Sequence, residues 1–338
     1  MSGVPSTADG AVLVGEGLDA GVPAHYGDPV REQRLLEEGL AHVDLSTRGV
    51  VTVSGPDRLT WLHSLSTQEL ATLPPRTSVE ALLLSPHGHV EHELHVVDDG
   101  ATTWLVVEPG TAPALVAFLE SMRFMLRVEV ADVTADWAVV GEPLARESVD
   151  GEPVAWVDPW PRTGPVSAGY GAADDAHPGR DRRWRERLVP RDDLEAALAE
   201  RPRAGVWAAE ALRVAAGRPR HLRETDHRTI PHELDWLRTA VHLQKGCYRG
   251  QETVARVHNL GRPPRRVVLL HLDGSGHVLP EAGTDLRLGE KVVGRLTTVA
   301  RHHELGPVAL GVVKRNTPTD AVLVADGIAA SQDVLVRP

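Results

Sequence analysis

The hydrophobic and polar positions divide this chain into two regimes. From residue 31 to about 216, stretches with helical spacing alternate with stretches that read as strands, whereas from residue 266 short apolar strands follow one another between turn residues. In the first regime Leu35, Leu36 and Leu40 predict a helix over 31–40, with Gly39 near its end. Residues 44–53 turn toward strand, and Ser54-Gly55-Pro56-Asp57 predicts a turn and a helix start, after which Leu59, Leu62 and Leu65 share one face. Further strands are predicted over 80–85, 89–97, 101–107 and 135–140, and helices over 113–122, 189–200 and 208–216. In the second regime strands over 267–272, 285–288, 291–300, 308–313, 321–324 and 331–336 predict a small antiparallel barrel as a separate final domain. Residues 259–264 read as the linker to it. Residues 1–23 are rich in Gly, Ala, Ser and Asp and predict a flexible tail with one edge strand. Residues 171–181 are expected to form a mobile surface loop, and 218–229, dense in charge and histidine without periodicity, a loop.

The strand over 89–97 carries His89, Glu91, Glu93 and His95 on one face and Val90, His92, Leu94 and Val96 on the other. A polar row opposite apolar residues is the ordinary mark of a solvated face. Four such side chains also suit a metal, but strand neighbours on one face stand nearly 7 Å apart and metal sites gather ligands from several elements. No metal site is expected.

Composition narrows the picture. A chain of 338 residues supports a large core and two or three domains. Its net charge of −11 argues against a nucleic-acid backbone as partner, because phosphate binding needs a basic stripe. No segment approaches the roughly 20 apolar residues of a membrane span, and the first residues lack a signal pattern, so a cytoplasmic protein is expected. The single cysteine, Cys247, excludes an intramolecular disulfide framework and any multi-cysteine zinc or iron–sulfur site within the chain.

That cysteine lies in Lys-Gly-Cys-Tyr-Arg-Gly-Gln-Glu, residues 245–252. Gly246 and Gly250 bracket it and permit turn conformations, and Gln251 onward reads as a short helix. The thiol then stands just outside a helix N-terminus with Lys245 and Arg249 beside it, a setting that favours thiolate. The competing reading is a small buried hydrophobe, since free cysteines are commonly buried. Core cysteines normally sit in apolar runs, which the basic and glycine neighbours here are not.

The same eight residues resemble the signature of the YgfZ-type folate-binding proteins, relatives of the glycine-cleavage T-protein that help assemble or maintain iron–sulfur clusters. Further agreement comes in family order from Asp44-Leu45-Ser46, Val53-Ser54-Gly55-Pro56-Asp57, Trp61-Leu62, Ser85-Pro86-His87-Gly88, Ala211-Leu212-Arg213 with Gly217, Ile230-Pro231-His232-Glu233 and 293–298. The resemblance implies an α+β fold of T-protein type, with two mixed α/β domains and a C-terminal antiparallel β-barrel in a three-domain ring around a central folate cavity. It implies a discontinuous folate-binding domain over 24–55 and 136–261, an inserted domain over 56–135 and a barrel over 262–338, with 1–23 as the tail. It further implies that the polar face of the strand over 89–97 borders the folate cavity.

The function implied is tetrahydrofolate-dependent support of iron–sulfur enzymes. Cys247 is then the active group with Lys245 beside it, and Glu233 the carboxylate that holds the pterin, whose adjacent N–H donors suit paired acceptance. Arg213, Tyr248 and Gln251 complete the implied folate site, and the expected partners are folate and iron–sulfur client proteins or assembly factors, with the protein a monomer. A rival reading is a folate-dependent aminomethyl or methyl transferase. Against it, the chain has His92-Glu93 where T-proteins place adjacent aspartates, and Cys247-Tyr248 where those enzymes commonly carry Asp-Phe. Glu93 remains able to take a carboxylate role. A binding scaffold with an inert cysteine is the third reading. No phosphate loop, nucleophile elbow or CxxC pair supports nucleotide hydrolysis, esterase or thioredoxin-like chemistry.

Overall fold

The computed structural model describes residues 10–276 and 278–338, which form two five-stranded sheets, a closed six-stranded barrel and a small two-stranded ribbon. The first sheet orders Ala155–Val157, Arg185–Pro190, Trp137–Glu142, His42–Asp44 and Arg203–Ala204, with a parallel pairing at the Arg203–Ala204 edge. Helices Pro29–Glu37 and Val206–Ala215 belong to this unit and pack on one another. The second sheet orders Ser78–Leu84, Val90–Asp98, Thr102–Val107, Gly49–Ser54 and Glu129–Asp132, antiparallel throughout. Helices Arg58–Leu65 and Ala112–Ser121 accompany it, contributing Trp61, Leu62, Leu115 and Leu119 to a core shared with Val51, Leu83 and Leu105. The barrel runs Arg265–Leu272, Gly306–Lys314, Lys291–His302, Asp285–Leu288, Leu323–Ala325 and Ile328–Val334, all antiparallel. Mixed α/β sheets beside a closed antiparallel barrel are the α+β architecture expected.

Four expectations need correction. The strand predicted over 44–53 is two strands, His42–Asp44 and Gly49–Ser54, split by a turn in which the Arg48 amide donates to the Leu45 carbonyl at 2.9 Å. The chain therefore enters the second sheet at Gly49, before the expected boundary at 55. The helix predicted over 189–200 begins as strand, because Arg185–Pro190 pairs in register with Trp137–Glu142, Leu188 opposite Val139, leaving only Leu194–Leu198 helical. The flexible tail expected over 1–23 fails from residue 10 onward, although its one edge strand is present. Val12–Leu13 pairs with Pro23–His25, Ala11, Val22 and Ala24 are buried, and buried Asp19 meets Arg220 at 2.7 Å. Residues 1–9 of that tail lie outside the described residues. The loop over 171–181 is likewise tied down, since Arg238 donates to Ala172 O at 2.7 Å and to Asp174 at 2.6 Å.

The units share a core. Leu82, Leu84 and Val90 of the second sheet, Leu234, Trp236, Leu237 and Val241 from the chain between helix Val206–Ala215 and helix Gln251–Leu260, and Val267, Leu269 and Leu310 of the barrel form one cluster, which Tyr248 joins. Burial of this apolar surface is what holds sheet, segment and barrel against each other.

Candidate functional site

The Cys247 loop is built from its buried neighbours outward. Lys245, lying in the loop before helix Gln251–Leu260, is buried, and its ammonium donates to the carbonyls of His63, Ser66 (2.6 Å) and Gln68 (3.1 Å). These carbonyls stand at the C-terminal end of helix Arg58–Leu65 and just beyond, where acceptors lack helical partners and positive charge is favoured. Burial pulls the ammonium down to about 8. Tyr248, also buried, packs in the shared core with the Lys245 ammonium 5.3 Å from its ring centroid. Gly250 adopts φ +83°, and a Cβ there would fall 2.6 Å from Ser85 O and 2.9 Å from Gly88 Cα, so the loop rests directly on the hairpin turn at 85–89. Arg249 pairs with Glu91 at 3.0 Å and lies 5.3 Å from the Phe118 ring centroid. On this saturated platform Gly246 and Cys247 are exposed.

The thiol stands before a helix N-terminus as expected, but its cations are spoken for. The Lys245 ammonium turns inward to carbonyls, and Arg249 to Glu91. Gln251 is the first helical residue and half-buried, its amide donating to Tyr248 O at 3.2 Å. Among the described residues the one group of three metal-capable side chains with converging ligand atoms is Glu37, His302 and His303, which does not include Cys247 or the histidines of 87–95.

A second constellation lies where the two five-stranded sheets meet helix Val206–Ala215 and the loop that follows it. Of the polar face of Val90–Asp98, Glu93 and His95 line a cavity that Trp184 and Glu186, Glu210 and Arg213 of helix Val206–Ala215, and Arg218 and Arg220 of the loop also line, whereas Glu91 is exposed and His89 does not reach it. Arg218 meets Glu80 at 2.8 Å, Glu93 at 3.2 Å and Asp158 at 3.3 Å. Arg220 meets Asp19 and Glu108, and Arg48 meets Glu108 at 2.6 Å. His95 stacks on Trp156 at 3.6 Å and contacts Glu186 at 2.7 Å and Glu93 at 3.6 Å. Burial alone would lower this imidazole, but the two carboxylates outweigh it and lift it to about 9, while Glu186 falls to about 2 against its own burial. The remaining room is about 50 Å3, enough for a few water molecules.

Of the residues the resemblance implied for folate, the structure brings only Arg213 to this cavity. Its guanidinium is saturated, bidentate to Glu210 at 2.9 and 3.0 Å and bonded to Glu224 at 2.9 Å and Thr298 at 3.1 Å. Glu233, buried in the turn Pro231–Leu234, gives both oxygens to Arg265 at 3.0 and 2.7 Å and does not line the cavity. Tyr248 is core and Gln251 lies at the loop, so the expected site divides into two places. Sequence reasoning missed Arg218, Arg220, Glu80, Asp158 and Glu186. The charge density of 218–229 was the signal for Arg218 and Arg220, since an aperiodic charged loop is either solvated or, as here, folded into ion pairs; Glu80, Asp158 and Glu186 had none.

Comparison with known proteins gives this geometry its context. Residues 7–147 match the GCVT N-terminal domain family. A chloroplastic protein of Arabidopsis thaliana, named as a transferase, is 25% identical over 355 residues, covering 96% of this chain and 76% of that protein. A mitochondrial iron–sulfur cluster assembly factor homologue of Mycosarcoma maydis is 27% identical, covering 66% of this chain and 55% of that protein. An aminomethyltransferase of Symbiobacterium thermophilum is 25% identical, covering 82% and 79% respectively. The crystal structure of the glycine cleavage aminomethyltransferase T of Bartonella henselae superposes with a TM-score of 0.77 at 19% identity, over 98% of this chain and 94% of that one. No helix among the described residues is long and apolar enough to cross a membrane. The chain carries the T-protein fold and is similar in sequence both to aminomethyltransferases and to an iron–sulfur cluster assembly factor homologue.

Proposed function

We propose that this protein supports the assembly or maintenance of iron–sulfur enzymes, as a cytoplasmic monomer, with Cys247 as its reactive group and reduced folate taken up at the central cavity. The observation that carries the reading is the presentation of the thiol. The protein's one cysteine is exposed on a loop anchored on either side of it by buried Lys245 and Tyr248, so the sulfur is accessible while its support is held. An iron–sulfur assembly factor among the relatives points the same way.

For folate, the cavity lining fits by chemistry. Carboxylates suit the N–H edge of a pterin, guanidiniums suit the carboxylates of its tail, and Trp156 and Trp184 offer flat apolar surface. Sites for molecules of that size have about 300–1,000 Å3 of room, so uptake requires the internal ion pairs to open and exchange partners with the ligand. Aminomethyl transfer is the second reading, and the placement of Glu93 on the cavity wall favours it.

One experiment separates the two. Cys247→Ser is expected to fold, to bind tetrahydrofolate by calorimetry with unchanged affinity, and to fail to restore iron–sulfur enzyme activity in cells lacking the protein. Serine is nearly isosteric but far less acidic and a weak ligand for soft metals. Full restoration by the serine variant overturns the thiol reading. A folate-dependent transfer rate kept by Cys247→Ser and lost by Glu93→Gln establishes the rival, and absence of folate binding in the wild type removes folate from both.

A further inference from the structure

The segment around Arg185–Pro190 divides two charged sites. Arg182, Trp184 and Glu186 line the central cavity, whereas Arg183, Arg185 and Arg187 line a separate groove on the other side of the sheet. Within strand Arg185–Pro190 the alternation of an extended chain produces this division, and it sets Arg185 and Arg187 about 7 Å apart on the groove side. Gly39, Arg201 and Glu200 contribute to the groove, whose room is about 350 Å3, against about 50 Å3 in the central cavity.

The groove is prepared for negative charge. Buried Glu142 beneath it accepts from Nε of Arg185 and, at 2.7 Å, from Nε of Arg187, with His42 Nε2 at 3.4 Å. Bonding at Nε fixes each guanidinium plane and leaves its Nη edge for other partners. One carboxylate thus orients two guanidiniums without neutralising both. Arg185 Nη1 has only a 3.4 Å contact with the Arg146 carbonyl, and Arg187 reaches the carboxylate of Glu200 at 3.0 and 3.4 Å. The Glu200 side chain is 55% exposed, so this last pair is a surface contact that water and ions can replace. Glu152 is taken by Arg146 at 2.9 Å. Four arginines therefore face three carboxylates, of which Glu142 is buried, Glu152 is paired with Arg146 from outside the groove and Glu200 is exchangeable, in a chain whose net charge is −11.

We propose that this groove binds a small molecule carrying two or more oxyanion groups, carboxylate or phosphate, and that the Glu200 carboxylate occupies the place one of those groups takes on binding. Guanidinium forks already positioned by Glu142 match such groups bidentately and lose little freedom in doing so. A groove of this size admits a metabolite of ordinary dimensions.

Calorimetry with citrate and with fructose 1,6-bisphosphate, at ionic strength held constant with chloride, tests this on the full chain. The wild type is expected to bind one of them at a single saturable site. Glu200→Gln, which removes the internal competitor from an exposed position, tightens that binding about three- to tenfold, and Arg183→Ala, also exposed, weakens it by a similar factor. Tighter citrate binding identifies carboxylates as the ligand chemistry, and tighter bisphosphate binding identifies phosphates. Absence of saturable binding in both the wild type and Glu200→Gln, or an affinity that Glu200→Gln leaves unchanged, overturns the proposal.

Discussion

The Cys247 loop and the central cavity place chemistry and burial in opposite relations. In the loop the reactive atom is exposed, and the charged and aromatic groups beneath it are committed, Lys245 to carbonyls and Tyr248 to the core. In the cavity the charged groups are themselves buried and satisfy one another, leaving about 50 Å3. A site of the first kind meets a partner without rearranging. A site of the second kind takes a ligand only by trading internal ion pairs for external ones, so its ligand must carry groups that replace what it displaces.

The comparison is broken most severely at Arg218. Its guanidinium serves Glu80, Glu93 and Asp158 at once, and it is itself buried. Arg218→Met keeps the volume and strands three carboxylates, so a loss of about 3–5 kcal/mol is expected from the shift of the denaturation midpoint. A loss below about 1 kcal/mol would mean that the junction is not held by its ion pairs.

In the loop the next largest effect should come from Lys245 and not from the cysteine. Lys245→Met leaves carbonyls near the end of helix Arg58–Leu65 without their donor, at an expected cost of about 2–3 kcal/mol. Cys247→Ser, two residues away but exposed, should stay within about 0.5 kcal/mol of the wild type. Urea titrations of the two variants check both values. Equal costs would show that the thiol is part of the packing, contrary to an exposed reactive group.

Periodic elements were legible in the sequence for a physical reason. The barrel strands and helices such as Ala112–Ser121 bury one face against a neighbour, and that burial writes a period into the chain. The loop around Cys247 was legible because two glycines, the lone cysteine and one of the chain's three lysines are unusual together, whereas the burial of that lysine was not. The cavity was not, since Asp19, Glu80, Asp158, Glu186 and Arg218 are brought together by the fold from segments far apart in sequence, and each looks like a surface charge in its own context. Arg185–Pro190 was misread for a related reason. It is buried on both faces, so its arginines and Leu188 carry no clean alternation of polarity, and only pairing with Trp137–Glu142 fixes it as strand. Glu233 shows the limit of motif transfer, because the motif is present but its carboxylate is claimed by Arg265.

A smaller loss than that of Lys245→Met concerns the proton inventory of the junction. The linked carboxylates Asp19, Glu80, Glu93, Glu108, Asp158, Glu186, Glu210 and Glu224 number eight, and the cations Arg48, Arg182, Arg213, Arg218, Arg220, Arg223 and His95 number seven. Neutrality in a buried setting then asks one carboxyl to keep its proton. Glu80 is the candidate, because burial, opposed by Arg218 and reinforced by Glu93, raises it from 4.5 to about 8. The unfolded chain releases this proton near pH 4.5 and the folded one near 8, so the folded state binds more protons in between. Stability therefore falls as pH rises from about 4.5 to 8 and levels off above. His95 adds a slope of the same sign, since its contribution is complete below its ordinary 6.5 and lost as pH climbs through about 9. Glu80→Gln mimics the protonated carboxyl, so it should remove the first slope and leave the second. The difference between variant and wild type should widen by about 1–2 kcal/mol from pH 5 to 8, once proton sharing with Glu93 is allowed for. Denaturation midpoints at pH 5, 6.5, 8 and 9.5 measure it, and parallel curves for the two proteins would move the missing proton to another carboxyl of the cluster.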